Sequence, residues 1–388
     1  MRTKMIAPMI LAIAMMSVAC GQKTTQPEKG QEGQKEAREV EKDGRELRSD
    51  IAEMIVVGFR GLTVESSKHI ERDIKRYGVG GVILFEYDAP TGTHKRNVSS
   101  PEQLEKLCQE LQSISEETLL IGIDQEGGRV NRLRRDQGFP KFMSAKKSAE
   151  YGEDSIRYTA RLTAKELRKA GVNLNFAPCV DVDVNENCPV IGKLERSFSK
   201  DENEVTDAAR IWVAEQRKAG IVSCLKHFPG HGSAKGDTHI GLVDVSESWE
   251  ERELKPYEVL TEEGNVDMIM TAHVMNSKLD KKYPASLSYN ITTKLLRERM
   301  GYDGVVITDD LAMGAIVNQY GYEEALRLAI EAGADLLCLS NNGKEYNPEI
   351  VPETIRIVEQ LVRDGKIKAE RIMESAKRVR ALKAKMKE

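Results

Sequence analysis

Three histidines and an aspartate lie within 13 residues near the middle of the chain, in the runs Lys226–Gly232 and Gly236–His239. Such a composition suggests a metal site. A proline and a glycine separate His227 from His231, however, and they break any helix that would place both imidazoles on one face. The sequence therefore disfavours zinc. It also disfavours a phosphate cradle, because no Lys-Ser/Thr pair follows the glycines.

A third interpretation of this segment is an acid/base pair on a mobile loop. Gly232 and Gly236 give the backbone freedom to move, and Asp237 stands two residues before His239, close enough to orient its imidazole if the loop folds back. A partner carboxylate raises the proton affinity of a histidine, which can then donate a proton near neutral pH and later accept one. We expect Asp237 and His239 to form such a pair.

Two further carboxylates follow short apolar runs. Asp309 comes directly after Val305–Thr308, at the end of a predicted buried strand, where it can face a substrate as a nucleophile; Asp310 is expected in the following turn. Asp124 likewise ends an apolar run, and two glycines and two arginines, the second being Arg132, come after it. A carboxylate and a guanidinium can hold vicinal hydroxyls bidentately, as sugar recognition requires.

The elements that must position these residues are eight short apolar runs, which alternate with segments of helical periodicity. Such alternation over about 340 residues predicts an α/β fold, a single (β/α)8 TIM-type barrel. A doubly wound open sheet is the competing fold, but no Gly-x-Gly-x-x-Gly follows the first run. The runs are Met54–Phe59, Gly81–Phe85, Leu119–Asp124, Asn173–Pro178, Val222–His227, Met268–His273, Val305–Asp309 and Asp335–Ser340. Helices are predicted from Ser100 to Ile114 and over Glu153–Ala170, Asp201–Ala219, Thr292–Met300 and Glu323–Ala332.

Polar residues stand at the carboxyl ends of five of these runs. In a barrel, the carboxyl ends of all strands surround one mouth, so these side chains would form a ring there. Helix capping explains any one such residue, but five at one rim indicate an active site. They are Asp124, Lys226-His227, His273, Asp309-Asp310 and Ser340-Asn341-Asn342.

The first residues have the pattern of an export signal. Arg2 and Lys4 precede the short apolar run Met5–Val18, which leads through small residues to Cys20. This pattern resembles a bacterial lipobox and predicts a signal peptide over 1–19, a lipidated Cys20 and a membrane-anchored, extracytoplasmic protein. A plain secretory signal is the alternative. Residues 20–48 contain no aromatic and few apolar residues and are expected to form a flexible, disordered tether, with the catalytic domain over 49–388.

Overall composition excludes some partners. The 388 residues carry 58 basic and 62 acidic side chains, a formal net charge of −4, so nothing attracts the chain as a whole to nucleic acid or to anionic lipid. Membrane contact is expected through the lipid anchor only. The five cysteines after Cys20 are expected to be buried thiols, with Cys179 and Cys188 the pair near enough in sequence to suspect a disulfide.

The segments Lys226–Gly232 with Asp237-Thr238-His239, Ile121–Arg132 and Gly304–Gly314 resemble glycoside hydrolase family 3, specifically its bacterial β-N-acetylglucosaminidase branch. The resemblance extends in motif order over about residues 50–385 and is strengthened by Gly58-Phe59-Arg60-Gly61, Phe176-Ala177-Pro178 and Pro189–Ser199. It implies a retaining β-N-acetylhexosaminidase that needs no metal or cofactor. Asp309 would be the nucleophile, His239 the acid/base and Asp237 its partner; the implied sugar contacts are Asp124, Arg132, Arg196, Lys226 and His227.

The resulting functional expectation is an exo-β-N-acetylglucosaminidase acting on cell-wall glycans, muropeptides or other GlcNAc-terminated oligosaccharides. A β-glucosidase or xylosidase of the same family is the enzymatic alternative. A catalytically silent, glycan-binding surface lipoprotein is the alternative outside enzymes. The natural aglycone and the oligomeric state stay open at this point.

Overall fold

The computed structural model describes residues 44–238, 240–343 and 345–387. The predicted signal peptide, Cys20 and most of the predicted tether lie outside these residues, as does His239.

In this part of the chain, eight parallel strands form one sheet in the order β11-β9-β7-β6-β5-β2-β1-β12. The sheet curls into a nearly closed barrel, because Ile307 at one edge pairs with Leu336 at the other and the Thr308 N–H donates to the Leu336 carbonyl at 3.1 Å. Every predicted run overlaps one of these strands, so the predicted eight-stranded barrel is confirmed. The strands are β1 (Ile55–Gly58), β2 (Gly81–Leu84), β5 (Leu120–Ile123), β6 (Leu174–Asn175), β7 (Val222–Phe228), β9 (Met268–Thr271), β11 (Val305–Thr308) and β12 (Leu337–Leu339).

Two small two-stranded sheets lie beside the carboxyl ends of the barrel strands. Strand β3 (Tyr87–Asp88) pairs antiparallel with β4 (Thr93–His94), and β8 (Val243–Asp244) pairs parallel with β10 (Val274–Met275). Strand β3 begins three residues after β2 ends and β10 three residues after β9 ends, so both small sheets lie next to the carboxyl ends of barrel strands.

Helical segments connect successive barrel strands and cover the outside. The predicted caps are present: the Ser100 hydroxyl accepts from the Gln103 N–H at 3.2 Å and the Asp201 carboxylate from the Asn203 N–H at 2.7 Å. The segment predicted as helix over Thr292–Met300 is π-helical over Asn290–Arg299, as is Asp73–Tyr77. The α-helices are α1 (44–53), α2 (Lys68–Arg72), α3 (Pro101–Ser113), α4 (Ala145–Glu150), α5 (Glu153–Ala170), α6 (Glu202–Lys218), α7 (Lys255–Glu262), α8 (Gly314–Tyr320), α9 (Tyr322–Ala332), α10 (Ile350–Arg363) and α11 (Ala369–Lys385).

Alternate strand residues fill the barrel interior, and the others pack against the helices. Val56, Ile83 and Leu120 belong to the inner cluster, while Val57 and Ile121 belong to the cluster under the helices. At Gly122 an added Cβ would lie 2.7 Å from Cε2 of Phe176, so this strand position admits no side chain without displacing the ring. The filled interior gives the mouth a rigid floor.

The folded domain begins earlier than the sequence predicts. Helix α1 includes the last five residues that we assigned to the tether, 44–48. Leu47 packs against the core, and the Arg48 guanidinium donates to both Glu359 carboxylate oxygens at 2.9 and 3.1 Å. The described helix thus begins five residues before the predicted boundary at residue 49, because Leu47 packs against the core and Arg48 pairs with Glu359 on α10, which is distant in sequence.

Among the described residues, no helix has the length and apolar character to cross a bilayer. The cysteines at 108, 179, 188, 224 and 338 are all buried, and each is a free thiol. Cys179 and Cys188 are thus not bridged.

Candidate active site

A cavity of about 350 Å3 opens at the carboxyl ends of the barrel strands. Six of the predicted catalytic and sugar-binding residues lie in its wall, together with Asp310, Ser340 and Asn342 of the predicted rim. Asp124 follows β5, Lys226 and His227 belong to the end of β7, and Asp309 follows β11, so strand geometry alone brings these four together; Arg132 and Arg196 reach the cavity from loops. The six are Asp124, Arg132, Arg196, Lys226, His227 and Asp309.

Two buried cations share one buried carboxylate at the base of this cavity. The Lys226 ammonium lies 2.7 Å from Asp124 Oδ1 and 2.8 Å from Glu126 Oε1. Arg196 donates two hydrogen bonds to Glu126, from Nε and Nη2, both at 2.8 Å. Burial by itself raises the pKa of Glu126, but the charges of Arg196 and Lys226 outweigh burial and hold that pKa well below its usual range. The network is therefore ionised and fixed in place.

On the other side of Arg196, His227 is held between a carboxylate and a guanidinium. Its Nδ1 lies 2.7 Å from Asp181 Oδ2, and its Nε2 lies 3.2 Å from Arg196 Nη2. A guanidinium only donates, so Nε2 must accept, and the ring proton sits on Nδ1 facing Asp181. Burial opposes ionisation of Asp181, but the interaction with His227 outweighs it and keeps the pKa of Asp181 below its usual range. These two contacts fix the orientation of the His227 ring.

Asp181 also holds the backbone of the segment that carries both histidines. Its Oδ1 accepts from the His227 N–H at 3.2 Å and from the His231 N–H at 2.8 Å. The His231 ring is buried against His227, and burial, reinforced by His227, lowers the pKa of His231 to about 4. His231 is consequently uncharged at neutral pH.

The carboxylate of Asp309 stands at the end of β11, as predicted. Its backbone N–H donates to the Thr271 carbonyl at the end of β9 at 3.0 Å, and its Oδ1 accepts from the Asp310 N–H at 2.8 Å. The Asp309 side chain faces the same cavity as Lys226 and Asp124. This arrangement places the Asp309 carboxylate and the cation network in the wall of one cavity.

The predicted acid/base loop approaches the cavity from β7. Thr238 lines the cavity, and its hydroxyl lies 3.3 Å from His231 Nε2. The half-buried Asp237 accepts at its carbonyl from the N–H groups of Ile240 and Gly241, which closes a turn. His239 is outside the described residues. Its position relative to the cavity therefore stays a prediction.

Two residues predicted at the rim, His273 and Asn341, do not line the cavity. His273 is fully buried and contacts Ser286 and the Asp310 carbonyl rather than the cavity. Sequence reasoning missed Glu126 and Asp181, which support the site, and the cavity-lining side chain of Glu86. Glu126 stands two residues after Asp124 and Asp181 closely follows a predicted strand, so a rule that includes carboxylates just beyond strand ends would have found both.

Within the described part of the chain, a group that could hold a metal ion consists of Cys179, Asp181 and His227, whose ligand atoms lie within 4.8 Å of one another. These atoms already satisfy each other: Asp181 accepts from the Cys179 thiol at 3.2 Å and from His227 Nδ1. Burial raises the pKa of the Cys179 thiol well above its ordinary value, which keeps it protonated. The group is therefore better explained as a hydrogen-bonded support for His227.

Comparison with known proteins identifies the family to which this chain belongs. The model described as the glycosyl hydrolase family 3 N terminal domain matches residues 46–382. A beta-hexosaminidase of Methylococcus capsulatus is 38% identical over 269 residues, which is 68% of this chain and 75% of that protein. One from Tolumonas auensis is 37% identical over 279 residues, 70% of this chain and 79% of that protein.

Solved structures agree with these matches. A glycoside hydrolase family 3 beta-N-acetylglucosaminidase from Paenibacillus sp. str. FPU-7 superposes with a TM-score of 0.79 at 35% identity; the match covers 88% of this chain and 62% of that longer one. A beta-N-acetylhexosaminidase from Beutenbergia cavernae has a TM-score of 0.77 at 26% identity, with 87% and 98% covered. The resemblance seen in the sequence motifs is confirmed, and the chain belongs to glycosyl hydrolase family 3.

Proposed function

We propose that this protein is a retaining exo-β-N-acetylglucosaminidase. The placement of Asp309 carries the proposal. This carboxylate follows β11 in the wall of a cavity in which the Lys226 ammonium is already paired with Asp124. The relatives named beta-hexosaminidase, together with family 3 membership, support a glycosidase that acts on N-acetylhexosamine. The stereochemical course, the residue roles and the terminal GlcNAc are the proposal.

In the first step, Asp309 attacks the anomeric carbon while His239 protonates the leaving oxygen, and a glycosyl ester forms on Asp309. In the second step, His239 accepts a proton from water, which hydrolyses that ester. Asp237 orients His239 and stabilises its charged form. No metal or organic cofactor takes part in either step.

The sugar is held by the fixed charges around the cavity. Asp124 and Arg132 line the cavity with Arg132 Nη2 3.7 Å from Asp124 Oδ2, too far for a hydrogen bond, and both can bind sugar hydroxyls. Lys226 and Arg196 are held by Glu126, and His227 by Asp181. Binding therefore requires little reorganisation of these side chains.

Asp309→Asn tests the nucleophile. The amide cannot form the covalent intermediate, so kcat on nitrophenyl β-GlcNAc should fall at least about 100-fold, which corresponds to ~3 kcal/mol. Asp303→Asn is the matched control: that carboxylate is 89% exposed and precedes β11, at the opposite end of the barrel. Retention of more than a hundredth of the wild-type kcat by folded Asp309→Asn would exclude the assignment.

The same assay separates the alternatives. Faster turnover of nitrophenyl β-glucoside or β-xyloside than of β-GlcNAc would favour the other specificities of the family. Binding of GlcNAc oligomers without any turnover by the wild type would favour a silent glycan-binding protein. A panel of muropeptides, chitobiose and N-glycans would then identify the aglycone.

The protein is further proposed to be a membrane-anchored, extracytoplasmic lipoprotein, which the sequence of residues 1–20 supports. Processing before Cys20 would leave 388 − 19 = 369 residues. Several acyl chains on that cysteine would anchor it stably, as one chain would not. Membrane fractionation tests this: wild type should sediment with membranes and Cys20→Ala should not. A wholly soluble wild type would refute the anchor.

A further inference from the structure

The residue after the proposed nucleophile is tied down by its side chain. Asp310 Oδ1 accepts from the Ser340 N–H at 2.9 Å and from the Ala312 N–H at 3.1 Å, and Oδ2 accepts a short hydrogen bond from the Ser340 hydroxyl. Ser340 directly follows β12, whose neighbour across the barrel closure is β11. Asp310 therefore fastens the turn after β11 to the end of the adjacent strand.

The same residue is fastened through its backbone by His273. The buried His273 Nε2 lies 2.9 Å from the Asp310 carbonyl oxygen, and Nδ1 lies 2.6 Å from Ser286 Oγ. A carbonyl only accepts, so Nε2 carries a proton and donates it. The backbone adds two further bonds, from the Leu311 N–H to the Cys338 carbonyl at 3.0 Å and from the Met313 N–H to the Asp310 carbonyl at 3.0 Å.

These anchors determine where one peptide N–H points. The Asp310 N–H donates to Asp309 Oδ1 at 2.8 Å, and that bond depends on the orientation of the peptide between the two residues. A donor held against one carboxylate oxygen restricts rotation of the carboxylate and stabilises its ionised form. In a glycosyl ester on Asp309, the same donor can polarise the carbonyl that water attacks.

We propose that Asp310 and His273 are positioning residues for Asp309, acting through this peptide N–H, with no direct contact to the sugar required. The inference rests on the proposed function, because it takes Asp309 as the nucleophile. A positioning role differs from a purely structural one. A structural role would stabilise the β11–β12 closure without affecting how Asp309 reacts.

Paired substitutions distinguish the two roles. Asp310→Ala removes the acceptors for Ser340 and Ala312. Asp310→Asn keeps an oxygen for both N–H groups, and the Ser340 hydroxyl can turn to accept from the new amide. A misplacement of reacting groups by about 1 Å costs about 100-fold in rate. We therefore expect the kcat of Asp310→Ala to fall about 100-fold, with KM within threefold of wild type. The kcat of Asp310→Asn should be at least about tenfold higher than that of Asp310→Ala.

The experiment measures kcat, KM and thermal midpoint on the aryl glycoside that the wild type hydrolyses fastest, with Asp303→Asn as control. His273→Leu and His273→Gln form a second pair, because a Gln amide can still donate to the Asp310 carbonyl; Gln should again recover most of the loss. If Asp310→Ala does not fold, the two His273 variants test the positioning role on their own. A kcat within tenfold of wild type in both truncations, or no recovery in either conservative variant, overturns the proposal. If Asp309→Asn itself stays active, the proposed function has failed instead.

Discussion

Replacing Glu126 with glutamine removes the charge that two buried cations share. In the native protein, Glu126 lies 2.8 Å from both Arg196 and Lys226, and its side chain is 5% exposed. The variant leaves Lys226 with Asp124 at 2.7 Å, and leaves Arg196 with the Val190 carbonyl at 2.8 Å and with His227. Arg196 thereby loses its carboxylate partner.

The expected cost follows from burial. Removing one partner of a buried ion pair destabilises a protein by ~3–5 kcal/mol, and because the Gln oxygen still accepts one hydrogen bond, we expect about 3 kcal/mol at pH 7. Lys226 and Arg196 should also become less rigid. KM for the aryl β-GlcNAc should therefore rise about tenfold, equivalent to ~1.4 kcal/mol of binding.

The penalty should depend on pH with a defined sign. The folded-state pKa of Glu126 lies below its ordinary value, because Arg196 and Lys226 outweigh the effect of burial. Its charge therefore stabilises the fold fully above about pH 4.3, the ordinary glutamate value, and this stabilisation is lost as the pH falls toward the folded-state pKa. The difference between wild type and Glu126→Gln should narrow below about pH 4.

Urea unfolding at pH 7 measures the loss of stability in Glu126→Gln, and the same experiment at pH 3.5 measures how far that loss narrows. Glu186→Gln is the matched control, because Glu186 lies 2.9 Å from Lys200, but the two side chains are 62% and 65% exposed. An exposed pair of this kind should change stability by no measurable amount. Equal loss of stability in the two variants, or a loss in Glu126→Gln that is unchanged at low pH, would refute a stabilising charge on Glu126.

Three further changes test other parts of the site and fold. Asp237→Ala should slow glycosides with poor leaving groups more than activated aryl glycosides, which need little protonation; equal losses on both would show that Asp237 does not assist the acid. A neutral His239 base would not repel anions as a carboxylate would, so azide or high phosphate should divert part of the product to glycosyl azide or β-GlcNAc-1-phosphate, and free GlcNAc as the only product would count against this. Gly122→Ala should destabilise the barrel by about 1–3 kcal/mol, because the new Cβ meets the Phe176 ring at 2.7 Å; unchanged urea unfolding would mean that the ring moves freely.

Local sequence determined the barrel and the positions of most candidate site residues. A run such as Val305–Thr308 must be buried, and the chain can carry a carboxylate only where that run ends, so Asp309 was predictable without any contact map. The same logic placed Asp124 and Lys226 at one mouth, since parallel strands present their carboxyl ends together. Arg196, in contrast, was predictable only through the family resemblance.

Tertiary structure decided which charges meet and which side chains support them. Arg196 and Glu126 are 70 positions apart, and Asp181 and His227 are 46 apart, so their pairing depends on strand register around the barrel and on loop paths that no local pattern encodes. The strand-end position of His273 predicted a rim residue, yet packing buried it against the Asp310 carbonyl. Leu47 and Arg48 belong to the fold for the same reason: Leu47 packs against the core, and Arg48 pairs with Glu359 on α10, more than 300 residues away. Burial strengthens each of these interactions, and only the folded chain determines burial.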